Sequence, residues 1–214
     1  MKFSAAVSVG LGLAGVTTAA PLATRDAPLA SDIILKIAPD SASCAGQGEE
    51  CRTNVQVAPF LVAAAAQYGL DNVVPIAAML ALTAFETKNY EFNTNQGGTP
   101  GQGTSNMQMY NFNLQYAQSI PALKDKLDAI GTADVLKATT DVGIKNAVRA
   151  LVTVDEYNFG SASWFLTTIC KPDVIDQLKA TPDAGFEAYM ACVGVPLVAE
   201  RTAYWTRAKQ AFGL

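Results

Sequence analysis

Apolar residues recur at three- and four-residue spacing through most of the chain, and no segment sustains a period of two. Val55 to Tyr68 is the first strongly periodic stretch, opened by Thr53 or Asn54 as cap and closed by Gly69. Val73 to Asn89 is the second, with Asp71-Asn72 before it and Pro75 in its first turn. From Val73 to Phe85 it is apolar on nearly every face, too short to cross a bilayer and suited to the centre of a globular core. Helices are then predicted over Asn106–Ser119, Pro121–Ala129, Asp134–Ala138, Asp141–Tyr157, Ala162–Cys170, Pro172–Ala180, Thr181–Cys192 and Pro196–Ala211. Between the second and third helices lies a loop, Tyr90 to Ser105, rich in Asn, Gln, Gly and Thr; loops of this length are usually functional or disordered. The pattern predicts an all-α chain with one core.

Composition narrows the chemistry. Half of the 214 residues are hydrophobic and 16% are charged, enough apolar material for a sizeable core. The net charge of -4 argues against nucleic acid and against an anionic membrane as partners. There is no histidine. That removes Ser-His-Asp and Cys-His nucleophiles and His-ligated zinc, so any catalysis falls to carboxylates, Tyr, Lys, Ser or a thiol. No metal and no cofactor are expected.

Residues 1–20 read as a signal peptide, with Lys2, an apolar run from Ala5 to Val16, and Thr18-Ala19-Ala20 ahead of Pro21. An arm or propeptide is expected over 21–43 and a single folded domain over 44–214. The protein is therefore expected outside the cell, and it is expected as a monomer. Four cysteines in an exported chain predict two disulfides, for which three pairings exist. Cys44–Cys51 and Cys170–Cys192 are favoured because each closes a local loop.

Glu86 ends the most apolar helix, near Ala78, Met79, Leu82 and Phe85. A carboxyl on such a surface loses solvation when charged and is expected to stay protonated, as a general acid must. Glu91, five residues on in the loop, is the first candidate for a second carboxylate that would activate water.

These residues fall in an order that resembles a family. Glu86-Thr87, the Asn/Gly-rich loop and Met107-Gln108 resemble the Glu-Ser…Gly-Leu-Met-Gln pattern of the lytic transglycosylase and goose-type lysozyme superfamily. Glu156-Tyr157-Asn158-Phe159-Gly160 resembles its Ala-Tyr-Asn-Ala-Gly segment. The likeness spans about residues 70 to 170; Ser105 and Asn106 depart from it, standing where the family has Gly-Leu. It implies a lysozyme-like fold with Glu86 as catalytic acid, Met107 and Gln108 on the cleft wall, and Tyr157 and Asn158 touching Glu86 and substrate. The expected function is cleavage of a β-1,4-linked peptidoglycan-type polysaccharide, by hydrolysis or by anhydro-sugar formation. The alternatives are a chitin or chitosan hydrolase, or a silent glycan-binding effector on the same fold.

Overall fold

The computed structural model describes residues 29–214; the expected leader and residues 21–28 lie outside them. Among the described residues there are twelve α-helices and no strand. They are α1 (Ala30–Ile37), α2 (Asn54–Gln67), α3 (Val73–Glu86), α4 (Tyr110–Gln118), α5 (Lys124–Ile130), α6 (Ala133–Ala138), α7 (Val142–Val152), α8 (Asp155–Asn158), α9 (Ser161–Trp164), α10 (Pro172–Ala180), α11 (Pro182–Val193) and α12 (Ala199–Phe212). Extended contact is limited to two isolated bridges, Thr94 with Gly103 and Gly103 with Gln108. The chain is all-α, and none of these helices is long and apolar enough to cross a membrane.

Local signals set the first long helices. Thr53 caps α2 through a reciprocal box: its hydroxyl accepts from the Gln56 N–H at 3.3 Å, and the Gln56 side chain accepts from the Thr53 N–H at 2.8 Å. Asn72 caps α3 by accepting from the Val74 N–H at 2.9 Å. Every residue of α3 from Ala77 to Ala84 is buried, so this helix forms the centre. α12 lies along it, and α1, α9 and α10 close other sides. Trp164 and Trp205 are both core residues, the first against Tyr116 and the second stacked on Phe186 with ring centroids 4.8 Å apart.

The two disulfides are Cys44–Cys51 and Cys170–Cys192, with Cα separations of 5.8 and 5.7 Å. The second ties the approach to α10 onto α11. Those helices meet closely at Gly185, where a Cβ would come within 2.3 Å of the Leu178 backbone nitrogen.

Three boundaries differ from expectation. The domain begins before residue 44, because Ile34 and Ile37 of α1 are buried in the main core. The predicted helix 141–157 is two: it stops at Val152, and Val154, in extended conformation, starts the short α8. The helix predicted from Asn106 starts at Tyr110, since Thr104 and Met107 adopt left-handed backbone angles. Their side chains and those between them are buried without helix: Thr104 donates to Asn106, Asn106 donates to Gln108, and Ser105 pairs with Ser161.

Candidate functional site

α3 ends in a polar cleft. Glu86 lines two adjoining recesses of about 190 and 250 Å³, which also share Gln102 and Met107. The first is completed by Asn106, Gln108, Phe112 and Phe165, the second by Phe92 and the 94–97 turn. The wall is held by side-chain amides. Gln108 donates to Asn113 Oδ1 at 2.8 Å, and Asn113 donates to the Gly101 carbonyl at 2.8 Å. Asn106 Oδ1 accepts from Ser161 at 2.8 Å and from Thr104 at 3.0 Å, and Gln102 donates to the Met107 carbonyl at 2.9 Å. Buried amides satisfied in this way lock a loop that no helix or sheet ladder supports.

The backbone around the cleft is strained. Lys88, Asn89, Tyr90, Thr104 and Met107 all have φ between 47° and 68°, a region that costs a non-glycine residue roughly 1–2 kcal/mol. Gly103 is held by crowding instead: a Cβ there would meet the Asn93 carbonyl at 2.7 Å. Glu50 anchors the far side of the loop, accepting from the Asn93 and Thr94 N–H groups at 2.9 and 3.1 Å and from the Thr94 hydroxyl.

Glu86 is not the isolated carboxyl expected from its helix. Arg201 of α12 donates to its Oε1 at 2.6 Å, with the two side chains only 10% and 15% exposed. The guanidinium also donates to the Pro196 carbonyl and lies over the Phe85 ring, 4.4 Å from its centroid. A guanidinium only donates, so Oε1 is the acceptor of a charge-assisted bond. Burial, with the Glu86 charge adding to it, pushes the Tyr189 hydroxyl far above its ordinary value of 10.0.

The other expected site residues scatter. Met107 and Gln108 do line the cleft beside Glu86. Glu91 does not; it accepts from Lys88 at 2.7 Å. Asn158 is buried behind the wall, its carbonyl accepting from Ser161 at 2.8 Å. Tyr157 lines a separate pocket with Phe60, Tyr68 and Tyr116. Glu86, Tyr157 and Asn158 therefore do not share one groove. Arg201, Glu50, Gln102 and Asn113 were not singled out in the sequence; the partners of Arg201 and Glu50 lie far along the chain, and those of Gln102 and Asn113 lie within the irregular loop and at its end. Ser105 and Asn106, which depart from the family pattern, pair here with Ser161 across the wall.

A second concavity lies further back along α3. This groove, about 350 Å³, runs between α1, α2 and α3 and is lined by carbon from Ile33, Leu61, Ala65, Ile76, Met79 and Leu80, with Val62 and Ala66 on its rim. No charged side chain lines it.

No family model and no solved structure matches the chain. A curated relative does: the bifunctional dioxygenase (DOX)-epoxy alcohol synthase (EAS) of Fusarium oxysporum (strain Fo5176), 44% identical over 161 residues. The match takes in 74% of this chain and 12% of the relative, so the chain spans about an eighth of that protein's length.

This finding corrects the functional expectation. The relative is named as a dioxygenase and epoxy alcohol synthase, not for cutting glycans, which overturns the glycoside hydrolase, muramidase and peptidoglycan readings and the polysaccharide partner. The chitin, chitosan and silent glycan-binder alternatives fall with them. Within the chain, the Glu86 carboxyl expected to act as the acid is paired with Arg201.

Proposed function

We propose that this chain is a binding domain for a single hydrocarbon-chain ligand and that it works beside oxygen-inserting chemistry carried outside it. The observation that carries this reading is the carbon-lined groove between α1, α2 and α3. Its volume of about 350 Å³ falls within the ~300–1,000 Å³ of small-molecule sites. A stable protein interface buries ~800 Å² on each side, more than a groove of this size offers, so an apolar chain is the better-matched occupant. An epoxy alcohol is a carbon skeleton bearing oxygen, and a precursor with a hydrocarbon chain suits a groove lined by apolar side chains.

The oxygen step itself has no seat in these residues. Iron-based oxygen chemistry is commonly mounted on imidazole or thiolate ligands. This chain has no histidine, its four cysteines are tied in two disulfides, and among the described residues no three Asp, Glu or Cys side chains cluster as a metal site. The residues do not fit such a centre, and no redox step is assigned to them.

The order of Glu86, Met107-Gln108 and Tyr157-Asn158-Gly160 supports a kinship of fold with the lysozyme-like superfamily, without its glycan chemistry. The leader pattern over 1–20 and the two disulfides support export, with Pro21 expected as the first residue when the exported protein is sequenced from its N-terminus.

Titration with a fluorescent polyene fatty acid tests the binding function. Saturable one-to-one binding is expected, weakened about tenfold or more in Ala66→Trp, which fills the groove from its exposed rim. Absence of binding, or equal binding by the variant with its helicity intact, overturns the proposal. Dioxygen uptake by the chain alone on an unsaturated fatty acid would overturn its non-oxidative half.

A further inference from the structure

α2 has two differently used faces. Leu61, Val62, Ala65 and Ala66 line the apolar groove; Phe60, Ala63, Ala64 and Gln67, on the opposite side of the same helix, line a separate pocket of about 220 Å³. A helix advances 3.6 residues per turn, so these two sets point away from each other. The second pocket shares no residue with the groove or with the Glu86 cleft.

Four of its lining residues are aromatic. Phe60 and Tyr68 come from the α2 side, Tyr116 from α4, and Tyr157 from α8, with Glu156 at the edge. The rings are held from behind: Phe60 stacks on Phe159 with centroids 5.8 Å apart, and Tyr116 packs against Trp164 at 5.1 Å. Tyr116 donates its hydroxyl proton to the Tyr157 carbonyl at 2.8 Å, which joins two walls. Gly160 makes room for that approach, since a Cβ there would lie 2.5 Å from the Tyr116 oxygen. The three tyrosines stay neutral in ordinary conditions, because burial first of all holds each hydroxyl above its usual value of 10.0.

The charge around the pocket has one sign. No Lys or Arg lines it, α2 and α4 contain no charged residue, and Glu156 is the lining residue that carries charge. The neighbouring Asp155 is engaged by Arg52 at 2.7 Å, and Lys124, beyond Ile120, by Asp128 at 2.6 Å. Aromatic side chains beside one carboxylate attract a cation whose surface is hydrocarbon rather than a strongly hydrated ion.

We propose that this pocket binds an organic ammonium cation, of the alkylated or quaternary class, between the rings of Phe60, Tyr68, Tyr116 and Tyr157, with Glu156 supplying the countercharge. The cation could arrive as a free solute or as the headgroup of a lipid; the recognition chemistry is the same. Neither source depends on the hydrocarbon groove.

The test is a titration of the full chain with choline and with 3,3-dimethyl-1-butanol, its neutral isostere, followed by calorimetry and by the aromatic NMR signals of the protein. Choline should bind saturably and shift tyrosine signals, with the neutral isostere about tenfold or more weaker. Glu156→Gln should weaken choline several-fold, and Tyr157→Ala should abolish binding while Tyr157→Phe, which keeps the ring face, retains it. Sedimentation with phosphatidylcholine vesicles separates the sources: capture reversed by free choline supports the headgroup, and choline binding without capture supports a free solute. Equal binding of the neutral isostere, or no saturable shift with either probe in the folded protein, would overturn the proposal.

Discussion

The two ends of α3 are built on opposite plans. Around Ile76, Met79 and Leu80 it joins α1 and α2 in a groove lined by apolar side chains, nearly all of them on regular helix. At Glu86 it opens onto loops whose backbone takes left-handed angles at five non-glycine positions and whose amides bond one another. The groove is stabilised by removing carbon from water, which needs only the right pattern. The cleft is stabilised by bonds that must each be made, because a buried polar group left without a partner costs about 1–3 kcal/mol. The first plan tolerates variation in its occupant; the second fixes positions.

The largest expected break in this comparison is on the groove side. Met79 is fully buried, and Met79→Ala should cost about 2–5 kcal/mol in urea unfolding while leaving the Glu86 cleft assembled. On the cleft side, Arg201→Ala strands the Glu86 carboxylate. With both side chains slightly exposed, the cost should be about 2 kcal/mol, below the range of a fully buried pair. The double change Glu86→Gln with Arg201→Met should recover part of that loss, and equal losses in the single and double variants would show that the pair contributes little. Glycine scanning sharpens the contrast by sign: Val62→Gly on the groove rim should lose about 1 kcal/mol, whereas Lys88→Gly beside the cleft should gain up to about 1 kcal/mol by relieving its positive φ of 53°.

The smallest effect is in pH. Tyr90, Tyr116 and Tyr189 are buried, and burial raises each hydroxyl well above 10.0. A group raised in the folded state contributes stability that is complete below its unfolded value and is lost as pH climbs past it. Stability should therefore be flat through neutral pH and fall above about pH 10. Tyrosinate absorbance of these residues should appear only with unfolding, and its appearance in the folded protein near pH 10 would contradict their burial.

How much of this was legible in the chain follows the same division. α2 and α3, the caps at Thr53 and Asn72, and both disulfide pairings follow from local sequence, because periodicity, capping and short loops are local properties; α1, the third helix of the groove, falls in the stretch expected to be an arm. The cleft follows from contacts that are not local. Glu86 and Arg201 are 115 residues apart, and Glu50 is 44 residues from the turn it holds. No spacing rule connects either pair. Motif order put Tyr157 beside Glu86, but the break at Val154 restarts the helix and sends that ring to the far face of α2. A carboxylate on an apolar helix end reads as an acid only when its partner is unseen.

The most direct measurement of the central claim is methyl NMR of the protein titrated with an unsaturated fatty acid. Ile33, Leu61, Met79 and Leu80 should shift together and saturate, with Met107 in the cleft unmoved. Shifts confined to Met107, or none in the groove methyls at saturating ligand, would contradict the account.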